Sequence, residues 1–416
     1  IGVGILAFPG LVAAALGNVR LALATWAVGG LVSLAGSLVH AELGCRHPRA
    51  GGDYVFLREA FGRPAAFLSG WTSFVVGFPG AIAASSFAAA QATHASRRTA
   101  VTVALALLVG ISAVHATGLR QSRRFQNGLV LAKLAILALL VVGALLVAAP
   151  PAETGPLPAG PPPAIAALIV LFAYSGWNSA AYVAGEVRVP QRNLPRALVG
   201  GVLLVTAIYL AWNLAYFRMV PAARIGNINV GGEIARAIFG ERGMQLLSLA
   251  LACVFAGSAS AMVITGPRIY YAMASDGLFP RALAAVSRGG HVPARALWLQ
   301  TLWASGILLA GAALTPAHEG VGRTFETIVD WTAFAILPFA ALTTASIFVL
   351  RRREGTAGTA FLVPFYPWTP LFFIVVTVGV EIGFLAVGLR GANALIGSLL
   401  VLSGVPAYLF WRRRSG

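Results

Sequence analysis

Lysine is nearly absent from this chain of 416 residues: of its 30 basic residues, only Lys133 is not an arginine. Cysteine is equally scarce. Cys45 and Cys253 are the only two, which excludes a disulfide framework and a thiolate metal site. Charge of any kind is low, at 10% of residues, with 13 acidic against 30 basic. Neither H-E-x-x-H nor G-x-S-x-G occurs, so the signatures of a zinc or serine hydrolase are missing and no enzyme activity is expected. His40 and His115 stand outside any cluster of ligating residues and read as hydrogen-bonding histidines; no metal and no cofactor is expected.

What the chain has in abundance is apolar surface. It is 58% hydrophobic and carries 47 glycines, the composition of a polytopic membrane protein. A spanning helix needs roughly 20 mostly apolar residues. Hydropathy places such runs near 1–17, 21–43, 64–93, 99–116, 125–148, 164–186, 197–219, 244–271, 295–314, 325–350, 369–389 and 392–411. The loops between them are too small for a soluble domain, so residues 1–416 read as one all-α transmembrane domain in a lipid bilayer. The chain starts at Ile1 inside an apolar run, and the first half of span 1 is expected to lie upstream.

The net charge of +17 invites a nucleic-acid reading, but the arginines segregate by loop. Placing both termini in the cytoplasm collects Arg46, Arg49, Arg58, Arg63, Arg120, Arg123, Arg124, Arg351, Arg352 and Arg353, among others, on that side. Fewer remain opposite, including Arg20, Arg97, Arg98, Arg224, Arg323 and Arg390. This is the positive-inside distribution of a plasma-membrane protein, read here as bacterial, with the loop from Gly44 to Arg63 inside. No nucleic-acid partner is expected, because no basic patch is interleaved with exposed aromatics on a soluble surface.

Two spans are interrupted. In "LIVLFAYSGWNSAAYVAGEVRVP" the residues Ser175, Gly176, Trp177 and Asn178 sit in mid-span, and in "IGVGILAFPG" the residues Gly2 and Gly4 flank Val3. Irregular backbone at membrane depth is tolerated only beside protein or a water-filled cavity. The half-helix beginning at Gly4 would aim amides at that cavity and suit a carboxylate. The half ending near Phe172 to Tyr174 would aim carbonyls there and suit an ammonium. Together they describe a receptor for a zwitterion. The plainer reading of Gly-Val-Gly is close helix packing, and Ser69-Gly70-Trp71 repeats the triplet of the second break where an interfacial tryptophan explains it.

With both breaks in view the sequence resembles the amino acid, polyamine and organocation transporter superfamily, most closely the L-type amino acid transporters and their bacterial relatives. The likeness rests on "IGVGILAFPG", on Trp26 to Pro64, on "FAYSGWNSAAYVAGEVRVPQRNLPRA" and on "TGPRIYYAMASDGLFP". It implies a leucine-transporter fold: an inverted repeat of spans 1–5 (residues 1–148) and 6–10 (164–350), plus spans 11 and 12 (367–411). Substrate would bind between broken spans 1 and 6. By the same resemblance Gly2, Val3, Gly4 and Ile5 would receive the carboxylate, and carbonyls around Phe172, Ala173 and Ser175 the amine. Phe172 would gate the site, Asn178 would add a side-chain contact, and Trp177 would brace the break. Two positions depart from the family pattern: Val3 stands where a serine or alanine is common, and Ala184-Gly185 precedes Glu186 where Thr-Glu is usual.

Lys133 lies nine residues beyond Arg124, about 14 Å into span 5 at about 1.5 Å per residue. An ionisable residue at that depth is a functional candidate by default. The resemblance places it where sodium-coupled relatives bind a cation, so its ammonium would replace the ion, contacting span 1 carbonyls and hydroxyls such as Ser258 or Ser260. The alternative is a lysine that lines an aqueous vestibule without a coupling role. Glu42 and Glu186 read as interfacial ion pairs with arginine, Glu326 and Asp330 as a vestibule lining or a solvated helix end, and Glu381 has no assignment.

The reading is a sodium-independent secondary transporter of amino acids, either an exchanger or a proton symporter. A polyamine or organic-cation transporter would need acidic side chains in the pocket, and the broken segments contain none. A non-transporting amino acid sensor on the same scaffold is the remaining alternative.

Overall fold

The computed structural model describes residues 1–92, 96–147, 157–222, 225, 230–287, 291–315, 321–388 and 398–415, and among these every regular element is a helix. The first apolar run is two short helices, α1 (Val3–Ala7) and α2 (Pro9–Leu16), joined at Phe8, because Pro9 has no amide hydrogen with which to continue the first. Gly17 closes α2 in the left-handed region (φ 61°), and Asn18 caps α3 (Val19–Arg46) by accepting from the Arg20 and Leu21 amides at 2.8 and 3.2 Å. The loop from Gly44 to Arg63 holds an unanticipated short helix, α4 (Asp53–Phe61), entered through Gly51 (φ 124°) and Gly52 (φ 50°).

The third apolar run is α5 (Arg63–Thr72), a π-helical turn at Ser73–Gly77 and α6 (Phe78–Gln91). Pro79 lacks the amide that would bond the Val75 carbonyl, and the Trp303 indole donates to that carbonyl instead at 2.8 Å. Then follow α7 (Arg97–Ala116) and α8 (Leu119–Leu146), and after them α9 (Pro163–Ala173) and α10 (Ser179–Tyr182). Next come α11 (Pro190–Met219) and α12 (Val230–Ser275), the latter bent at Gly240 (φ 65°). α13 (Ala294–Leu314), α14 (Val321–Glu354), α15 (Trp368–Gly388) and α16 (Gly404–Ser415) complete the order.

Among the described residues, eight helical stretches are long and apolar enough to cross a membrane. Their outward faces are apolar too: Leu131 on α8 is 68% exposed and Leu302 on α13 is 71% exposed. Soluble proteins rarely leave such stripes uncovered. Residues 392–397 of the last expected span lie outside the described residues, as do Arg224, Arg288, Arg390 and the side chains of Arg323, Glu326 and Asp330.

α3 packs along α11, and α12 runs between α6 and α8. One core gathers around Trp26, Tyr174, Tyr209 and Trp212, and a second around Phe67, Phe74, Tyr270 and Phe279. The expected ion pairs are present and close the polar end of the bundle. Glu42, fully buried, accepts from Arg46 at 2.8 Å, from Arg351 at 2.5 Å and from the Val363 amide at 2.7 Å. Glu186 accepts from Arg268 at 2.9 Å. The Glu381 carboxylate has no hydrogen-bond partner among the described residues.

Candidate functional site

The two interrupted segments touch each other. Gly2 is extended (φ −144°, ψ −158°) and α1 starts at Val3, so the amides of Val3, Gly4 and Ile5 begin a helix without intrahelical acceptors. α9 ends at Ala173, five residues of turn follow, and α10 resumes at Ser179, with Gly176 at φ 91°. A Cβ on Gly4 would lie 2.5 Å from the Ala173 Cβ and 2.6 Å from its Cα, so only glycine lets the start of α1 meet the end of α9 this closely.

A cavity of about 390 Å³ opens at this meeting point. Of the residues singled out from sequence, Gly2, Gly4, Phe172, Ala173, Ser175, Asn178, Lys133 and Ser258 line it. Ile5 does not: its side chain is buried in the first of the two cores, leaving only its amide to contribute. The side chain of Val3 lies outside the described residues. A second cavity of about 80 Å³ sits behind the break, and Phe172, Ser175, Gly176 and Asn178 border both.

The carbonyls at the end of α9 are not equivalent. Tyr209 on α11 donates its hydroxyl to the Ala173 oxygen at 2.9 Å, and the Ser175 amide donates to the Phe172 oxygen at 2.9 Å. The backbone of Gly2 also comes near the Tyr209 hydroxyl. The expectation that all three carbonyls face an ammonium therefore narrows. The Ser175 oxygen receives no donor among the described residues, whereas the Ala173 oxygen is already engaged.

Lys133 reaches the chain just before α1. It is 5% exposed, and its Nζ donates to the Ile1 carbonyl at 2.9 Å and to the Ser258 Oγ at 3.4 Å. Ser258 in turn donates toward the Ile1 oxygen at 2.9 Å or the Val254 oxygen at 3.1 Å. One ammonium thus links α8, α12 and the start of the chain. Ser260 does not join it. Its hydroxyl donates to the Gln126 Oε1 at 2.5 Å and accepts from the His115 Nε2 at 2.8 Å, and the other ring nitrogen of His115 meets the Ser122 Oγ at 2.6 Å. Two residues along a helix turn about 200° around its axis, so Ser258 and Ser260 cannot face the same partner.

The sequence reading found no acidic group near the breaks, and here the structure corrects it. Asp53, at the start of α4, lines both cavities. Its carboxylate meets the His40 Nε2 at 2.8 Å, accepts from the Tyr182 hydroxyl at 2.7 Å and is approached by the Asn178 Nδ2 at 3.3 Å. Asn178 also donates to the Tyr182 hydroxyl at 3.0 Å, so its amide is committed within the wall. Trp177 packs edge-on against His40 at 4.7 Å and against Phe373 at 5.4 Å, and a Cβ on Gly36 would come within 2.6 Å of its ring. The indole wedges the unwound segment against α3, the bracing role expected of it. His40 is hydrogen-bonded, as expected, but its place beside the break was not anticipated and Asp53 went unnoticed, because both come from outside the broken spans; the local signal for Asp53 was the Gly51-Gly52 turn that delivers it inward.

The sequence profile of the amino acid permease family matches residues 1–405 of the chain. Among curated proteins, the serine/threonine exchanger SteT of Bacillus subtilis is 29% identical over 429 aligned positions, covering 100% of this chain and 94% of its own length. The b(0,+)-type amino acid transporter 1 of Mus musculus is 28% identical, over 91% of this chain and 78% of its own. The Asc-type amino acid transporter 1 of Homo sapiens is 28% identical, over 100% and 80%. These relatives are membrane transporters rather than enzymes, and the match runs through both breaks and Lys133. The chain belongs to the amino acid permease family.

Proposed function

We propose that this protein is a sodium-independent secondary active amino acid transporter that works by alternating access around the cavity between the two breaks. Its architecture is the leucine-transporter fold, with about twelve spans in two inverted repeats of five plus two added helices, and both termini in the cytoplasm. The amides of Gly2 to Ile5 receive the substrate carboxylate, and the Ser175 carbonyl, with Phe172 above it, receives the amine.

The observation that carries this reading is the meeting of Gly4 with Ala173 at the cavity wall, 2.5 Å from an added Cβ, where the start of one helix and the end of another present opposite backbone charge. Only two charged side chains line the cavity among the described residues. Asp53 is paired with His40, and Lys133 is spent on Ile1 and Ser258. Neither is left over as a counter-ion for a polyamine, which argues for a net-neutral substrate. Serine and threonine are the first amino acids to try, since SteT is named for exchanging them. The test is counterflow: purified protein in liposomes preloaded with one amino acid should take up labelled amino acid saturably, and binding without uptake would favour a sensor.

A further inference from the structure

The hydrogens between His40 and Asp53 can be counted. The His40 ring is fully buried on α3, with Nδ1 3.0 Å from the Gly36 carbonyl oxygen and Nε2 2.8 Å from the Asp53 Oδ1. A carbonyl oxygen only accepts, so Nδ1 carries a hydrogen. The contact between Nε2 and Oδ1 then needs one more, whether an imidazolium donates to a carboxylate or a carboxylic acid donates to a neutral imidazole. Either way the pair holds one titratable proton. Without it, two lone pairs would face each other at 2.8 Å.

The neighbouring groups do not substitute for that proton. The second carboxylate oxygen is occupied by the Tyr182 hydroxyl and the Asn178 amide, whose hydrogens do not titrate near neutral pH. Trp177 and Phe56 cover the ring edge-on at 4.7 and 5.9 Å. The surrounding charges are committed elsewhere. On α3 and α14, Glu42 is held by Arg46 and Arg351. On α12, Arg268 is held by Glu186, and Tyr270 faces Tyr182. On α4, Arg58 pairs with Asp276 at 2.8 Å. Among the described residues, no charged side chain of α9, α11 or α15 lies within ion-pair distance of His40 or Asp53.

We infer that the His40–Asp53 pair is a proton-binding site, and that the bound proton fastens α3 to α4 and, through Asp53, to the unwound segment between α9 and α10. Asp53 lines both cavities, so the proton exchanges with water there. On release the N–H or O–H bond breaks, the proton passes to water, and the pair goes from net neutral to a charge of −1. The carboxylate then separates from Nε2 while Tyr182 and Asn178 still hold its other oxygen, which frees α10 from α3. Loss of one charge-assisted hydrogen bond moves the balance between fastened and released forms by roughly 10- to 150-fold. The inference rests on the transporter reading only for its effect on transport.

Trp177 supplies a readout independent of transport, because an imidazolium quenches a tryptophan in contact with it more strongly than a neutral ring does. In purified protein, emission should rise in a one-proton step as the pH is raised and the pair gives up its proton. The step should be absent in His40→Gln and in Trp177→Phe. In liposomes, the exchange rate of the wild type should change roughly 10- to 150-fold across that step. It should be flat in Asp53→Asn, whose amide hydrogen can bond Nε2 without titrating. A wild-type titration with no His40-dependent step overturns the proton site. A step accompanied by superimposable wild-type and Asp53→Asn exchange profiles overturns the fastening. Absence of exchange with every amino acid refutes the proposed function instead, while the fluorescence still decides the proton.

Discussion

Replacing Lys133 tests the reading of the cavity at its most constrained point. Lys133→Ala removes the donor of two hydrogen bonds, at 2.9 Å to Ile1 and at 3.4 Å to Ser258. Ser258 keeps acceptors of its own at Ile1 and Val254, so the net loss is close to one charge-assisted hydrogen bond, about 1.5–3 kcal/mol. That corresponds to roughly 10- to 150-fold in the population of the state in which the segment before α1 is held against α8 and α12. Alanine also leaves a void where the lysine stem was, so Lys133→Met is the companion that restores volume without charge. Lys133→Arg should fail as well. The Lys133 stem packs against the bare face of Gly257, where an added Cβ would come within 3.1 Å of its Cε, and a planar guanidinium is no substitute for a compact ammonium on the Ile1 carbonyl. The assay is counterflow in liposomes with sodium or choline outside. Wild-type uptake should be equal in the two salts, and all three variants should lose at least about tenfold. Unchanged rate and affinity in Lys133→Met, or wild-type uptake that collapses in choline, would refute the role given to the ammonium.

Three further outcomes follow from the geometry. Gly4→Ala should abolish binding of labelled substrate by pushing α1 off Ala173, and Ala173→Gly on the same background should restore part of it; binding intact in Gly4→Ala would contradict the close approach of the two breaks. Glu42→Ala removes the buried carboxylate that joins Arg46 and Arg351, leaving them Glu354, the Gly355 carbonyl and the Tyr366 ring, and should lower unfolding stability by about 3 kcal/mol, read as a fall in melting temperature in detergent. The sidedness of the loop from Gly44 to Arg63 is better read at Glu59→Cys than at Cys45, which is buried with its thiol toward the Pro190 and Gln191 carbonyls. An impermeant thiol reagent outside intact cells should leave that cysteine unlabelled.

The break between α9 and α10 was legible because its residues are adjacent: a polar knot in an apolar run has one physical explanation at membrane depth. Lys133 was legible for the same reason, as a charge counted in residues from the nearest arginine. The partner of Lys133 was only half legible. Ser258 and Ser260 look interchangeable as hydroxyls in the sequence, yet a helix turns about 200° between them, so only one of the two can meet Lys133. Asp53 was not legible, because its bonds to Asn178 and Tyr182 join residues 125 and 129 positions apart, and no local pattern encodes where a loop turns inward. The same holds for Tyr209, which reads as one more aromatic in an apolar helix until its hydroxyl is found on the Ala173 carbonyl. The π-helical turn at Ser73–Gly77 had a cue in Pro79, but the indole that satisfies the displaced carbonyl comes from α13, far along the chain.

The central claim is that the two breaks together recognise a zwitterion. It is tested most directly by competition in the counterflow assay, with a transported amino acid set against its decarboxylated amine and its amide at matched concentrations. The account predicts strong inhibition by the amino acid and weak inhibition by both analogues, since each removes the anionic group that the amides at the start of α1 would hold. Equal inhibition by the amino acid and its amine would contradict it, and would move the site toward recognition of an organic cation.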